Sequence, residues 1–94
     1  METLYSVVQG QVEAAEYTVA ADSPVTDIPL MKMQKKQDIL IAAIIRGGKV
    51  LIPRGSDSIM AGDRVVVVTR VKAIDDIADI LETSGGRSRV KGAL

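Results

Sequence analysis

A small α+β domain built on a mostly antiparallel sheet is the fold class this sequence predicts, and three stretches predict it. Residues 39–45 form an unbroken aliphatic run, followed at once by Arg46-Gly47-Gly48-Lys49 and then Val50-Leu51-Ile52. Residues 65–68 are four consecutive valines. Residues 72–82 place Ala73, Ile74, Ile77, Ala78 and Leu81 at helical spacing, with Asp75, Asp76, Asp79 and Glu82 turned outward.

Taken in order, the chain opens on an entry segment, residues 1–11, whose Leu4, Tyr5, Val7 and Val8 want an apolar partner. Residues 12–20 alternate imperfectly, as a half-exposed, edge-like strand does. Asp22-Ser23-Pro24 punctuates, and Thr26-Asp27 caps a short helix that starts late and ends near Met33. Pro29 fits its first turn, where the missing N–H has no intrahelical partner anyway. Ile28, Leu30, Met31 and Met33 are its apolar positions, with the methionines as core filler, and Lys35-Lys36 lies in a solvated turn.

The run at residues 39–45 is too short to cross a membrane as a helix, and its β-branched content predicts a strand buried on both faces at the centre of the sheet. Gly47-Gly48 supplies the two positive-φ positions of a two-residue hairpin, pairing this strand with residues 49–52. Residues 54–58 turn, Ile59-Met60 returns to the core, and Ala61-Gly62-Asp63 launches the valine strand. Two doubly apolar strands in so small a domain need covers on both sides, one a helix and the other a second subunit. Gly85-Gly86 ends the last helix, and residues 84–94 form a basic tail.

Composition removes several chemistries. The 94-residue chain has no Cys and no His, so thiol nucleophiles, disulfides, zinc-thiolate sites and imidazole bases are excluded. Its 12 basic and 12 acidic residues balance, and its only aromatic side chains are Tyr5 and Tyr17, which argues against a nucleic-acid surface. Asp75 and Asp76, adjacent on a helix, diverge by about 100° and do not form an acid/base pair. Asp57 and Asp63 read as turn formers. No glycine pattern matches a dinucleotide or Walker fingerprint. The start of the chain lacks the basic-then-apolar pattern of a secretory signal, so a cytoplasmic, noncatalytic domain is expected.

The order of motifs resembles the TrkA-C domain, also called the RCK C-terminal domain. The resemblance is carried by Glu13-Ala14-Ala15-Glu16-Tyr17-Thr18-Val19, by Ser23-Pro24-Val25-Thr26-Asp27-Ile28-Pro29-Leu30, by Ile45-Arg46-Gly47-Gly48 with Ile52-Pro53, and by Ala61-Gly62-Asp63-Arg64-Val65. It implies a β-α-β-β-β-α domain over residues 12–83 that dimerises and regulates potassium uptake from the cytoplasmic side. The expected partners are a second copy, an upstream RCK N-terminal domain and a membrane potassium transporter subunit. NAD or ATP would belong to that Rossmann-like upstream domain, not to this one, and no nucleic acid is expected. The same module attached to another membrane transporter or to a transcription regulator is the alternative.

Some members of the family bind cyclic di-AMP between two such domains. Carried onto this sequence, the ligand residues are Val25, Thr26, Met31, Lys32, Gln37, Asp38, Arg46 and Pro53. Two positions depart from the pattern: Met31 beside Lys32 stands where the family has Arg, and Gln37 where it has Asn. Arg46 has two readings, a phosphate partner through its planar fork or simply the flank of a hairpin.

Overall fold

The computed structural model describes residues 3–7, 11–70 and 74–82. Five strands make one antiparallel sheet: β1 (Thr3–Val7), β2 (Val12–Thr18), β3 (Ile39–Arg46), β4 (Lys49–Leu51) and β5 (Arg64–Thr69), in the order β1-β2-β5-β3-β4. The valine strand β5 is therefore the middle of the sheet, and β3 lies one place from its edge, not at the centre. The entry segment supplies β1, which pairs with β2 from Thr3↔Glu16 to Val7↔Val12. That pairing corrects the edge-like expectation for β2, which has a hydrogen-bonded strand on each side.

Gly47 and Gly48 adopt φ of 58° and 77° and close the β3–β4 hairpin, with Arg46 opposite Lys49. Between Ile41 and Ala43 the pairing of β3 with β5 shifts by one residue at a bulge. A bulge inserts one residue and so reverses which parity faces the core. Ile39, Ile41 and Ile44 consequently all face inward. Leu40, on the other face, is 60% exposed, so within the single chain only one side of β3 is covered, and a second subunit is the cover expected for the other. The aliphatic run cannot reveal this, because its two faces carry the same residue types.

The inner face is closed by the chain that connects the strands. Val25, Ile44, Ile59, Val65, Val67, Ile77 and Ile80 are fully buried, with Ala15, Tyr17, Val19, Met33 and Ile74 around them. The two expected helices are each a single 3-10 turn among the described residues, Leu30–Lys32 and Ile77–Ile80. At the first, Asp27 takes φ 64° and the chain returns to extended conformation at Met33, leaving room for one turn. At the second, Asp76 accepts from Ala78 N and Asp79 accepts from Asp76 N, a reciprocal cap of the turn's start. Leu81 is already extended, because residues 80–82 pair with residues 34–36. Ile74, Ile77 and Ile80 recur every three residues, a spacing that suits a three-per-turn helix as well as an α-helix. Residues 71–73, the expected start of the last helix, and the tail 84–94 lie outside the described residues. Among the described residues no helix is long and apolar enough to cross a membrane.

Candidate functional site

The eight residues singled out in the sequence separate into three places. The first is a corner beneath the β3–β4 hairpin. The bulge in β3 brings Arg46 onto the same face as Ile44, beside Asp63 at the start of β5. Arg46 Nε donates to Asp63 Oδ1 at 2.9 Å and one terminal nitrogen donates to Asp63 Oδ2 at 2.7 Å. The same nitrogen donates to the Ser58 carbonyl at 2.8 Å. Asp63 is 2% exposed and also accepts from Met60 N at 2.8 Å, closing the Ala61-Gly62 turn. The Arg46 hydrogen bonds, with the Met60 amide adding to them, hold the Asp63 carboxyl below its usual range against the opposing effect of burial. Arg46 is therefore engaged with a buried carboxylate where it flanks the hairpin, its side chain still 41% exposed.

The second place is the interior and the turn before β3. Val25 is wholly buried, and the Thr26 hydroxyl donates to the Ser23 carbonyl at 2.9 Å. Gln37 and Asp38 form an exposed turn in which Asp38 takes φ 63° and its carbonyl accepts from Arg70 N at 3.2 Å. Asp38 borders a shallow hollow of about 310 Å³ shared with Val12, Leu40, Val68 and Arg70. This hollow contains only one of the eight residues.

The third place is a slot of about 230 Å³ where Met31 and Pro53 meet. Leu30 and Met31 come from the first 3-10 turn, Lys35 from the segment that follows, Leu40 and Ile41 from β3, and Pro53, Arg54 and Gly55 from the chain leaving β4. Met31 N donates to the Gly55 carbonyl and Leu30 N to the Asp57 carbonyl, both at 2.9 Å, stitching the turn to the 54–57 loop. Asp57 Oδ2 in turn accepts from Arg54 N at 2.7 Å. A Cβ on Gly55 would stand 3.1 Å from Met31 Cβ, so this close approach favours glycine. Met31 is 67% exposed, presented to the slot and solvent, whereas Met33 fills the core. Lys32 is exposed on the same turn but borders neither hollow.

The slot pairs an apolar lining with two cations. The ion pairs among the described residues are Arg46–Asp63 and Arg64–Glu16, so Lys35 and Arg54 bring their charge to the slot without a carboxylate. Such a surface suits a flat or apolar body carrying an anionic group. Sequence reasoning missed Lys35 and Arg54 because both sit in polar turns that look solvated. Gly55 beside Arg54 was the available signal, since a glycine in a loop marks a close backbone approach. Among the described residues no group of three or more acidic side chains could hold a metal ion.

The model of the TrkA-C domain matches residues 14–82. The chain belongs to the TrkA-C domain family. Relatives of this TrkA-C domain include the Trk system potassium uptake protein TrkA homolog 1 of Methanosarcina mazei, 31% identical over 77 residues, which are 82% of this chain and 17% of that protein. The TrkA homolog of Archaeoglobus fulgidus is 32% identical over 71 residues, covering 76% of this chain and 16% of the relative. TrkA of Mycobacterium tuberculosis strain H37Rv is 26% identical over 72 residues, 77% of this chain and 33% of that one. The TrkA-C domain thus spans between a sixth and a third of the length of these relatives. A solved structure of an RCK domain with cda superposes with a TM-score of 0.59 at 27% identity, covering 73% of this chain and 97% of the other.

Proposed function

We propose that this TrkA-C domain is a noncatalytic regulatory module of a potassium-uptake system, and that it binds an anionic nucleotide of the cyclic dinucleotide class in the slot between the first 3-10 turn and β3. The observation that carries the reading is the slot itself. Met31, Leu40 and Pro53 offer apolar contact to a base, and Lys35 and Arg54 offer uncommitted positive charge to phosphate. The solved structure of an RCK domain with cda, of similar fold, supports looking for a ligand site in this domain. In this reading Lys35 and Arg54 take the phosphate role, while Arg46 holds the fold.

The domain acts as a homodimer, with an upstream domain and a membrane transporter subunit as its further partners at the cytoplasmic face. Leu40 and Val50, 60% and 67% exposed, stand on the uncovered face of the sheet beside the part-buried Val66 and Val68, and a second copy would cover them. Coupling to a transporter then requires that the ligand favour one dimer geometry over another.

Calorimetric titration with cyclic di-AMP, with ATP and NADH as comparisons, tests the site. Binding near the micromolar range at one nucleotide per dimer is expected, weakened about tenfold or more by Arg54→Ala or Lys35→Ala. Heat from none of the three nucleotides would overturn the ligand assignment. A single monomeric species in sedimentation at tens of micromolar would overturn the dimer.

A further inference from the structure

Residues 74–82 run across the inner face of the sheet as a strap. Ile77 and Ile80 are fully buried and Ile74 nearly so, which makes the strap part of the core and not a surface decoration. Its two ends are tied differently. At the start, the Tyr17 hydroxyl, in β2, donates to the Ile74 carbonyl at 3.0 Å in a buried bond spanning 57 residues of sequence. At the finish, Lys36 N donates to the Ile80 carbonyl and Glu82 N to the Gln34 carbonyl, both at 2.8 Å, with Lys35 opposite Leu81 in an antiparallel bridge.

The middle residue of that short ladder, Lys35, is also a wall of the slot. The wall runs from Leu30 to Lys35 and belongs to no strand of the sheet. On one side it is stitched to the 54–57 loop through Met31 and Leu30. On the other, the backbone bonds of residues 34–36 among the described residues go to the strap. A wall held partly by a segment from the far end of the chain cannot keep its place if that segment lifts.

We infer that the slot and the strap are one coupled unit: the ordering of residues 34–36 against residues 80–82 sets the position of Lys35, and occupation of the slot by an anionic ligand tightens the docking of the strap. This rests on the reading of the slot as a ligand site and extends it to the site's regulation. The coupling must be reciprocal, so a change that loosens the strap weakens binding by the same factor by which binding tightens the strap.

Amide hydrogen exchange of the full chain, wild type and Tyr17→Phe, with and without cyclic di-AMP, tests this. Tyr17 lies in β2 and lines neither hollow, so the substitution removes the strap's distant tether without altering the slot. Without ligand, Tyr17→Phe is expected to speed exchange at Lys36 and Glu82 about 2- to 10-fold, the effect of one lost hydrogen bond carried along the strap. Faster exchange confined to the neighbourhood of Ile74 would overturn the coupling, and this arm needs no ligand. With cyclic di-AMP, the same two amides slow in the wild type, and Tyr17→Phe lowers affinity by a matching factor. Unchanged affinity despite a loosened strap would also overturn the coupling while leaving the slot as a binding site. If cyclic di-AMP fails to bind the wild type, the ligand reading falls, and the ligand-free arm still decides whether the strap holds the wall. Should Tyr17→Phe unfold the chain, Ile74→Val, which trims the strap's contact by one methylene, replaces it with the same expected pattern.

Discussion

On β5, Val65 and Val67 are fully buried, while Val66 and Val68, each one position along, are only part-covered. On β3 the same contrast separates Ile44, with no exposure, from Leu40, with 60%. The residue types on the two faces are nearly interchangeable, so hydrophobicity does not decide which face is covered. The connections decide it: the turn after β2, the 54–60 loop and the strap all cross one face. What the difference teaches is that one aliphatic face serves this chain's own stability, and the other is left over for association.

Substitutions can break that comparison, beginning with the inner face. Ile44→Ala is expected to cost about 2–5 kcal/mol, read as a lowered urea midpoint, because the side chain is fully enclosed and its neighbours cannot collapse completely. At the rim of the same face, Asp63→Asn is expected to cost about 1.5–3 kcal/mol, since an amide cannot accept both Arg46 bonds as a carboxylate does.

That corner also fixes a pH dependence. Arg46 lowers the folded-state pKa of Asp63 below that of the unfolded chain, about 3.9. The stabilisation is therefore complete above the unfolded value and is lost as pH falls from there through the lower folded value. Equilibrium unfolding at pH 7 and pH 3 should show this loss in the wild type and a flatter profile in Asp63→Asn. Equal profiles would mean that the ion pair contributes nothing.

The smallest expected effect is on the other face. Leu40→Lys should change the stability of the folded chain by no more than about 0.5 kcal/mol, since a side chain 60% exposed loses little on substitution. The same change should shift the sedimentation of the proposed dimer toward monomer. Severe destabilisation of a monomeric Leu40→Lys variant would show that the outer face matters to the single chain, and the contrast between faces would fail.

Much of the fold was legible. The Gly47-Gly48 hairpin, the valine strand and the turn roles of Asp57 and Asp63 follow from local chemistry, and the structure contains them. The bulge at Ala42 was not legible, because nothing in Ile41-Ala42-Ala43-Ile44 marks where an extra residue goes. From that omission follows the unforeseen switch of parity that turns Ile44 inward after Ile39 and Ile41. The second helix was misjudged because spacing by three fits two helix types, and tertiary pairing with residues 34–36 ended it after one turn. The slot was half legible: Met31 and Pro53 line it, whereas Lys35, Arg54 and Gly55 are brought there by pairings between distant segments.

Tyr17 gives the strap an optical signature. It is one of two aromatic side chains in a chain without tryptophan, and its phenol is bonded to the Ile74 carbonyl. Burial above all, then the nearby carboxylates led by Asp79, raises its pKa. Its phenolate absorbance should thus emerge at a higher pH than that of an ordinary tyrosine. Because the folded value is raised, its contribution to stability persists below the unfolded value of about 10 and disappears as pH climbs through the folded one. A spectrophotometric titration in base would therefore watch the strap let go, with no label added to the molecule.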